Sequence, residues 1–146
     1  MKRNSSKYPM PDEAPGERSM MREPEAAYVV SKVRGGLSMV EFQFLRELLG
    51  LSEERFATLL GMSRATLHRR KKAGQLDRAE SDRLVRYARL FNRAADTLGG
   101  DAPAQRWLSS PAVAFGGELP LDFADTEIGA REVEALLGRV AHGVFS

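Results

Sequence analysis

Between residues 38 and 143 the chain is punctuated as a series of helices, and this constrains its fold more than any other feature. Ser38-Met39-Val40-Glu41 is a capping box. Its hydroxyl and its carboxylate, three residues apart, satisfy orphan amides at a helix start. Gly50 supplies the stop. Ser52 is the next start, with Glu53 and Glu54 in the first turn complementing the helix dipole, and Gly61 is its end. A third helix begins at Ser63, runs through Lys72 and stops near Gly74. Asp77 and Glu80 open a long helix that Gly99-Gly100 closes, and Thr126 caps a last one that ends at Gly143. Nothing alternates with period two for long enough to make a strand. The predicted fold class is all-α.

The apolar residues follow the same period. Val40, Phe44, Leu45 and Leu48 share one helical face of the segment after Ser38. Leu84, Ala88, Phe91, Ala95 and Leu98 step by four, three, four and three along the long helix, with Arg83, Arg86, Arg89 and Arg93 opposite. That stripe is the expected meeting of core and dimer interface. Val133, Leu136, Leu137 and Val140 mark the buried face of the last helix. A short helix over Glu25 to Arg34 is stopped by Gly35-Gly36. Asp101 is placed to cap another, with Pro103 in its first turn and Trp107 and Leu108 at its end. Pro120 to Ala124 is one further helical turn.

Composition narrows the chemistry. With 146 residues, 42% hydrophobic and 29% charged, the chain has material for a modest core. It has no cysteine, which excludes disulfides, thiolate nucleophiles, thiolate zinc sites and iron–sulfur clusters. No run of 18 apolar residues is present, so no membrane span is expected. Met1 to Met10 is basic without a following apolar stretch, unlike a secretory signal. The expectation is a cytoplasmic protein. The two histidines, His68 and His142, have no partner set resembling a triad or a metal site, and no Gly-rich phosphate loop follows a strand. No catalysis, metal or cofactor is expected.

The net charge of +2 conceals a segregation. Residues 61–93 carry ten Lys/Arg against three acids, and residues 101–146 three Arg against seven acids. A basic middle suits nucleic acid; an acidic end suits a basic protein or cleft. The alternative is a pair of solvated faces. Residues 1–24 hold four of the seven prolines and no apolar period, and read as a tail. The sign change at Gly99-Gly100-Asp101 divides the remainder into 25–100 and 101–146.

Residues 53–72 have the spacing of a helix-turn-helix. Phe56, Leu60, Met62 and Leu67 fall where its two helices pack, Ala57 is small at their crossing, and Gly61 stands where the turn needs a positive φ. In such a unit the second helix enters the major groove with its N-terminal residues toward base edges. Here the candidates are Ser63, Arg64 and Thr66, then His68 and Arg69, with Arg70, Lys71 and Lys72 near phosphates. Arg70 stands at a late position that is usually apolar in this motif. The alternative is a plain helical bundle whose basic helix serves another purpose.

The C-terminal segment carries an ordered series: Trp107-Leu108, Ser110-Pro111, Phe115-Gly116-Gly117, Pro120-Leu121-Asp122, Thr126, Gly129-Ala130-Arg131, Val133, Leu136-Leu137 and His142-Gly143-Val144. It resembles the toxin-binding domain of Xre/MbcA/ParS-type antitoxins. Upstream, Phe56 to Gly74, with Thr66-Leu67-His68-Arg69-Arg70-Lys71-Lys72, resembles the Xre-like helix-turn-helix that accompanies it. The resemblance covers roughly residues 38–146. One departure is Phe115, where the family more often has a Leu-like residue.

The resemblance implies an antitoxin of a type II toxin–antitoxin pair. The cognate toxin is typically a RES-domain protein that depletes NAD or uses it for ADP-ribosylation. The C-terminal domain covers the toxin's active site. The N-terminal domain binds the operon's own promoter and usually dimerises, so a homodimer and a larger toxin–antitoxin assembly are expected. The toxin-facing candidates are Trp107, Phe115, Gly116, Gly117, Arg131, Glu132, Arg139, Gly143, Val144, Phe145 and Ser146. As residues they have plainer readings. Trp107 suits a core as well as an interface, and the glycines suit tight turns or helix ends. The acids Asp122, Asp125, Glu127, Glu132 and Glu134 face either a basic cleft or solvent. Arg131 and Arg139, two turns apart, form one exposed ridge. The alternative function is a stand-alone helix-turn-helix transcription regulator whose C-terminal domain binds another protein or a small molecule.

Overall fold

Side-chain oxygens open five of the helices as the sequence predicts. In the computed structural model, which describes residues 26–143, Ser38, Ser52, Ser63, Asp77 and Thr126 each accept a hydrogen bond from the backbone N–H three residues on. Asp77 and Glu80 form a complete reciprocal capping box. The helices are α1 (Ala26–Gly35), α2 (Met39–Leu49), α3 (Glu53–Leu59), α4 (Arg64–Ala73), α5 (Arg78–Leu98), α6 (Asp101–Leu108), α7 (Pro120–Phe123) and α8 (Glu127–Ala141). A 3-10 turn, η1 (Val113–Phe115), lies between α6 and α7. Among the described residues there is no strand, only one isolated bridge between Ser38 and Gln75. The tail at 1–24 and the Val144-Phe145-Ser146 stub lie outside the described residues.

Helix α5 is the axis of the fold. Leu84, Tyr87, Ala88, Leu90, Phe91, Ala94 and Ala95 are all fully buried on it. Helices α1, α2, α6 and α8 pack around it. One continuous core therefore runs from Val33 on α1 to Leu137 on α8. This corrects one expectation. Leu84, Ala88, Phe91 and Ala95 of the stripe are covered by the chain's own helices, so these four side chains are not open to a dimer, and Leu98 is half-buried. Of the arginines opposite, Arg89 and Arg93 are exposed, whereas Arg83 and Arg86 turn onto the chain. Arg83 donates to the Leu60 carbonyl at 3.1 Å and Arg86 to the Asp125 carbonyl at 3.2 Å.

The buried face of α2 also differs from the expected one. Met39, Phe42, Leu45 and Leu49 are inside, whereas Val40 is 74% exposed and Phe44 39% exposed. Both stripes have helical spacing and share Leu45. The aromatic core selects between them: the Phe42 ring lies 5.1 Å from Phe56, which meets Tyr87 edge-on at 6.1 Å. A smaller correction concerns α6. Gly100 is its N-cap and Asp101 its first helical residue, so the carboxylate acts on the dipole rather than as the cap.

Candidate nucleic-acid interface and partner-binding cleft

Helices α3 and α4 form the helix-turn-helix. Ala57, Met62 and Leu67 are buried at their contact, and the Met62 amide donates to the Ala57 carbonyl at 2.8 Å. Gly61 carries the turn with φ +83°, and a Cβ there would lie 2.8 Å from Arg83 Nη1. Only glycine meets both demands, because the left-handed backbone is strained for other residues and the Arg83 guanidinium fills the space above it.

The far end of α4 is pinned to its neighbours. Arg70 Nε donates to Glu80 at 2.7 Å and Arg70 Nη2 to Asp77 at 3.1 Å. The bond to Glu80 raises the Arg70 pKa above its already high ordinary value. Lys71 Nζ donates to Glu53 at 2.9 Å, and Gln43 donates to the other Glu53 oxygen at 2.7 Å. Lys71 first, then Gln43, hold the Glu53 carboxyl below the usual carboxylate range. Beyond the helix, the Met39 amide donates to the Gly74 carbonyl and the Leu76 amide to Leu37.

The predicted DNA-facing residues thus divide. Ser63, Arg64, His68, Arg69 and Lys72 are exposed, and Thr66 is half-buried beside them. Arg70 and Lys71 spend their charge on carboxylates of the chain itself. The position that is usually apolar holds an ion pair instead.

In the C-terminal segment, Phe115 turns inward. It is 8% exposed and stacks on Phe123 at 4.4 Å. Trp107 is half-buried at the core's edge. Gly116 and Gly117 are exposed in the turn after η1, closed by the Gly117 amide donating to the Ala112 carbonyl at 2.9 Å. Arg131, Glu132 and Gly143 are exposed, and Arg139 is half-buried. Arg131 lies 3.6 Å from Glu127. Gly129 is buried where α8 starts against the end of α7, and a side chain there would overlap the Phe123 backbone.

These elements enclose a cleft of about 330 Å³. Four acids line it, Glu118, Asp122, Asp125 and Glu132, together with Phe123 and Ile128. Ile128 is 75% exposed, and Val113 on the adjoining η1 is 98% exposed. Of the acids read from the sequence, Glu127 faces basic groups of α5, 3.4 Å from Arg86 and 3.8 Å from Arg89. Asp122 pairs with Arg55 of α3 at 2.8 Å. Tyr87 Oη, fully buried, donates to the Leu121 carbonyl at 3.1 Å, and burial holds its pKa far above the ordinary phenol value. The cleft floor is therefore attached to both α3 and α5.

Sequence reasoning missed Glu118, Ile128 and Val113. A signal existed for Ile128: it is apolar but out of phase with the buried Ala130, Val133 and Leu137. Among the described residues no group of three or more His, Asp or Glu could hold a metal ion. No helix among them is long and apolar enough to cross a membrane.

Two family models match consecutive stretches of the chain. The antitoxin Xre-like helix-turn-helix domain matches residues 29–89, and the antitoxin Xre/MbcA/ParS C-terminal toxin-binding domain matches residues 93–143. Curated relatives agree. An "Antitoxin Xre" from Yersinia enterocolitica is 41% identical over 85 residues, 58% of this chain and 57% of that protein. One from Photorhabdus laumondii is 36% identical over 74 residues, 50% of each. A "Prs ADP-ribosylating antitoxin" from Sphingobium sp. is 25% identical over 127 residues, 80% of each. The matches span only about half the length of the two Antitoxin Xre relatives.

Proposed function

Because the chain belongs to the Xre/MbcA/ParS antitoxin family, we propose that it is the antitoxin of a type II pair, neutralising its toxin through residues 101–146 and repressing its own operon through residues 25–100. The observation that carries this reading is the cleft of α7 and α8. It lies in the stretch matched by the toxin-binding domain, it is acidic, and Ile128 stands largely in solvent on its rim. An exposed apolar side chain beside like charges is what a docking surface presents: burial supplies affinity, and complementary charge supplies orientation and on-rate.

The toxin of this proposal is a RES-domain enzyme that consumes NAD. The family resemblance supports it, as does the name of the Sphingobium relative, which refers to ADP-ribosylation. A nucleotide-binding mouth is basic, and the acids of the cleft oppose it in sign. Exposed α8 residues Arg131 and Glu132 lie beside the contact. Phe115, stacked inside, supports the loop that carries Gly116 and Gly117.

The DNA half of the proposal rests on α4. Its exposed cations and the helix-turn-helix support a seat in the major groove, with affinity that falls as salt rises. Binding as a homodimer to a two-fold operator belongs to the same proposal, with an interface other than the buried α5 stripe.

Growth rescue tests the reading. The open reading frame next to this gene is induced alone and together with this chain, and colony counts and cellular NAD are followed. The expected result is that the neighbour kills and lowers NAD, and this chain restores both. A harmless neighbour, or killing that this chain does not relieve, overturns the antitoxin reading in favour of a stand-alone regulator.

A further inference from the structure

The outward face of α4 is narrower than its charge count suggests. Leu67 points into the core, and Arg70 and Lys71 are held by carboxylates. Ala65, His68, Arg69 and Lys72 are all exposed, at the spacing of a single helical face. Ala65 carries only a methyl group there, so it leaves room for close approach to a groove floor.

Arg69 is the cation of this face that the chain itself holds in place. Its Nη2 donates to Thr66 Oγ1 at 3.1 Å. Thr66 Oγ1 lies 3.1 Å from Ser63 Oγ, and that oxygen caps the helix by accepting from the Thr66 amide at 3.1 Å. A chain of three side chains thus fixes the guanidinium along the helix edge. It uses one N–H and leaves the other donors of the fork. A guanine edge takes two parallel N–H donors, and arginine supplies them with the right spacing. A side chain ordered before binding loses less rotamer freedom on contact. Arg64 and Lys72 have no such anchor among the described residues and suit phosphates, which position a protein without specifying sequence.

We propose that Arg69, positioned by Thr66, reads a guanine in the operator. This assignment rests on the DNA-binding reading above.

The test is selection of random DNA duplexes by the purified full-length chain, followed by sequencing and competition binding. The wild-type chain is expected to enrich a motif containing a fixed guanine. Arg69→Ala relaxes that one position, losing about 10- to 100-fold in discrimination against the other bases. Arg69→Lys keeps the charge, so it retains affinity for unrelated duplexes and still loses the discrimination. Thr66→Val keeps the Ser63 cap and weakens discrimination at the same position only. Lys72→Ala lowers affinity for all duplexes alike and leaves the motif intact. A motif unchanged by Arg69→Ala overturns the assignment alone. Thr66→Val with wild-type discrimination overturns the positioning role. A wild-type chain that enriches no motif overturns both the assignment and the DNA-binding reading.

Discussion

Arg70 and Glu80 meet at 2.7 Å across the joint between α4 and α5, with Glu80 only 5% exposed. Glu80 also accepts from the Asp77 amide at 2.9 Å, so one buried carboxylate both starts α5 and sets the angle of α4. Arg70→Ala leaves that charge with its amide partner alone and is expected to cost about 1–3 kcal/mol. Lys72→Ala, on the open face, is expected to stay within about 0.5 kcal/mol of wild type. Urea denaturation of the two variants checks the contrast; equal midpoints would contradict it.

Gly61→Ala meets two obstacles, the positive φ and the Arg83 guanidinium. The backbone strain costs about 1–2 kcal/mol. Displacing Arg83 from the Leu60 carbonyl costs about 1 kcal/mol more. In a double-mutant cycle, Arg83→Ala is expected to remove the second part and leave the first. Strict additivity of the two changes in thermal denaturation would show that the guanidinium does not crowd the turn.

Ile128→Asp changes a side chain that is 75% exposed, so stability should move by no more than about 0.5 kcal/mol. Neutralisation of the toxin should be lost, because the substitution adds a desolvation penalty to the cleft rim while α4 is untouched. Rescue assays beside DNA-binding assays separate the two. Loss of both functions would contradict separate surfaces. Deleting residues 101–146 is a poorer test, because it strips α6 and α8 from α5 and uncovers its buried side chains.

Glu53 gives a pH-dependent contribution. Its folded pKa lies below the ordinary 4.5, through the hydrogen bonds from Lys71 and Gln43. The stabilisation is therefore full well above pH 4.5 and disappears as pH falls through the lowered folded value. The group is partly exposed, so its worth is about 0.5 kcal/mol. Glu53→Gln should melt below wild type at pH 7, and the gap should close as pH falls below 4.5 and through the lowered folded value. A gap that persists in acid would assign the effect to packing instead.

The helix starts at Ser38, Ser52, Ser63, Asp77 and Thr126 were legible because capping is decided within four residues. The turn at Gly61 was legible for the same reason. The site was legible in part. The exposed residues of α4 up to Arg69 follow from helical geometry once Leu67 is known to be inside. The cleft was not, since Glu118 and Asp122 come together with Ile128 and Glu132 only when α8 folds back against α7 at Gly129.

The amino-acid sequence by itself determined the helical class, the order of the elements and the segregation of basic and acidic charge, all properties of neighbours along the chain. Tertiary structure alone decided which face of α2 is buried, because Phe42 finds Phe56 while Val40 stays 74% exposed among the described residues. It also decided that Arg70 and Lys71 are paired with carboxylates of the chain itself. Their carboxylates, Glu80 and Glu53, stand 10 and 18 residues away, and an ion pair depends on where the folded backbone carries its two ends, which local sequence rules do not specify.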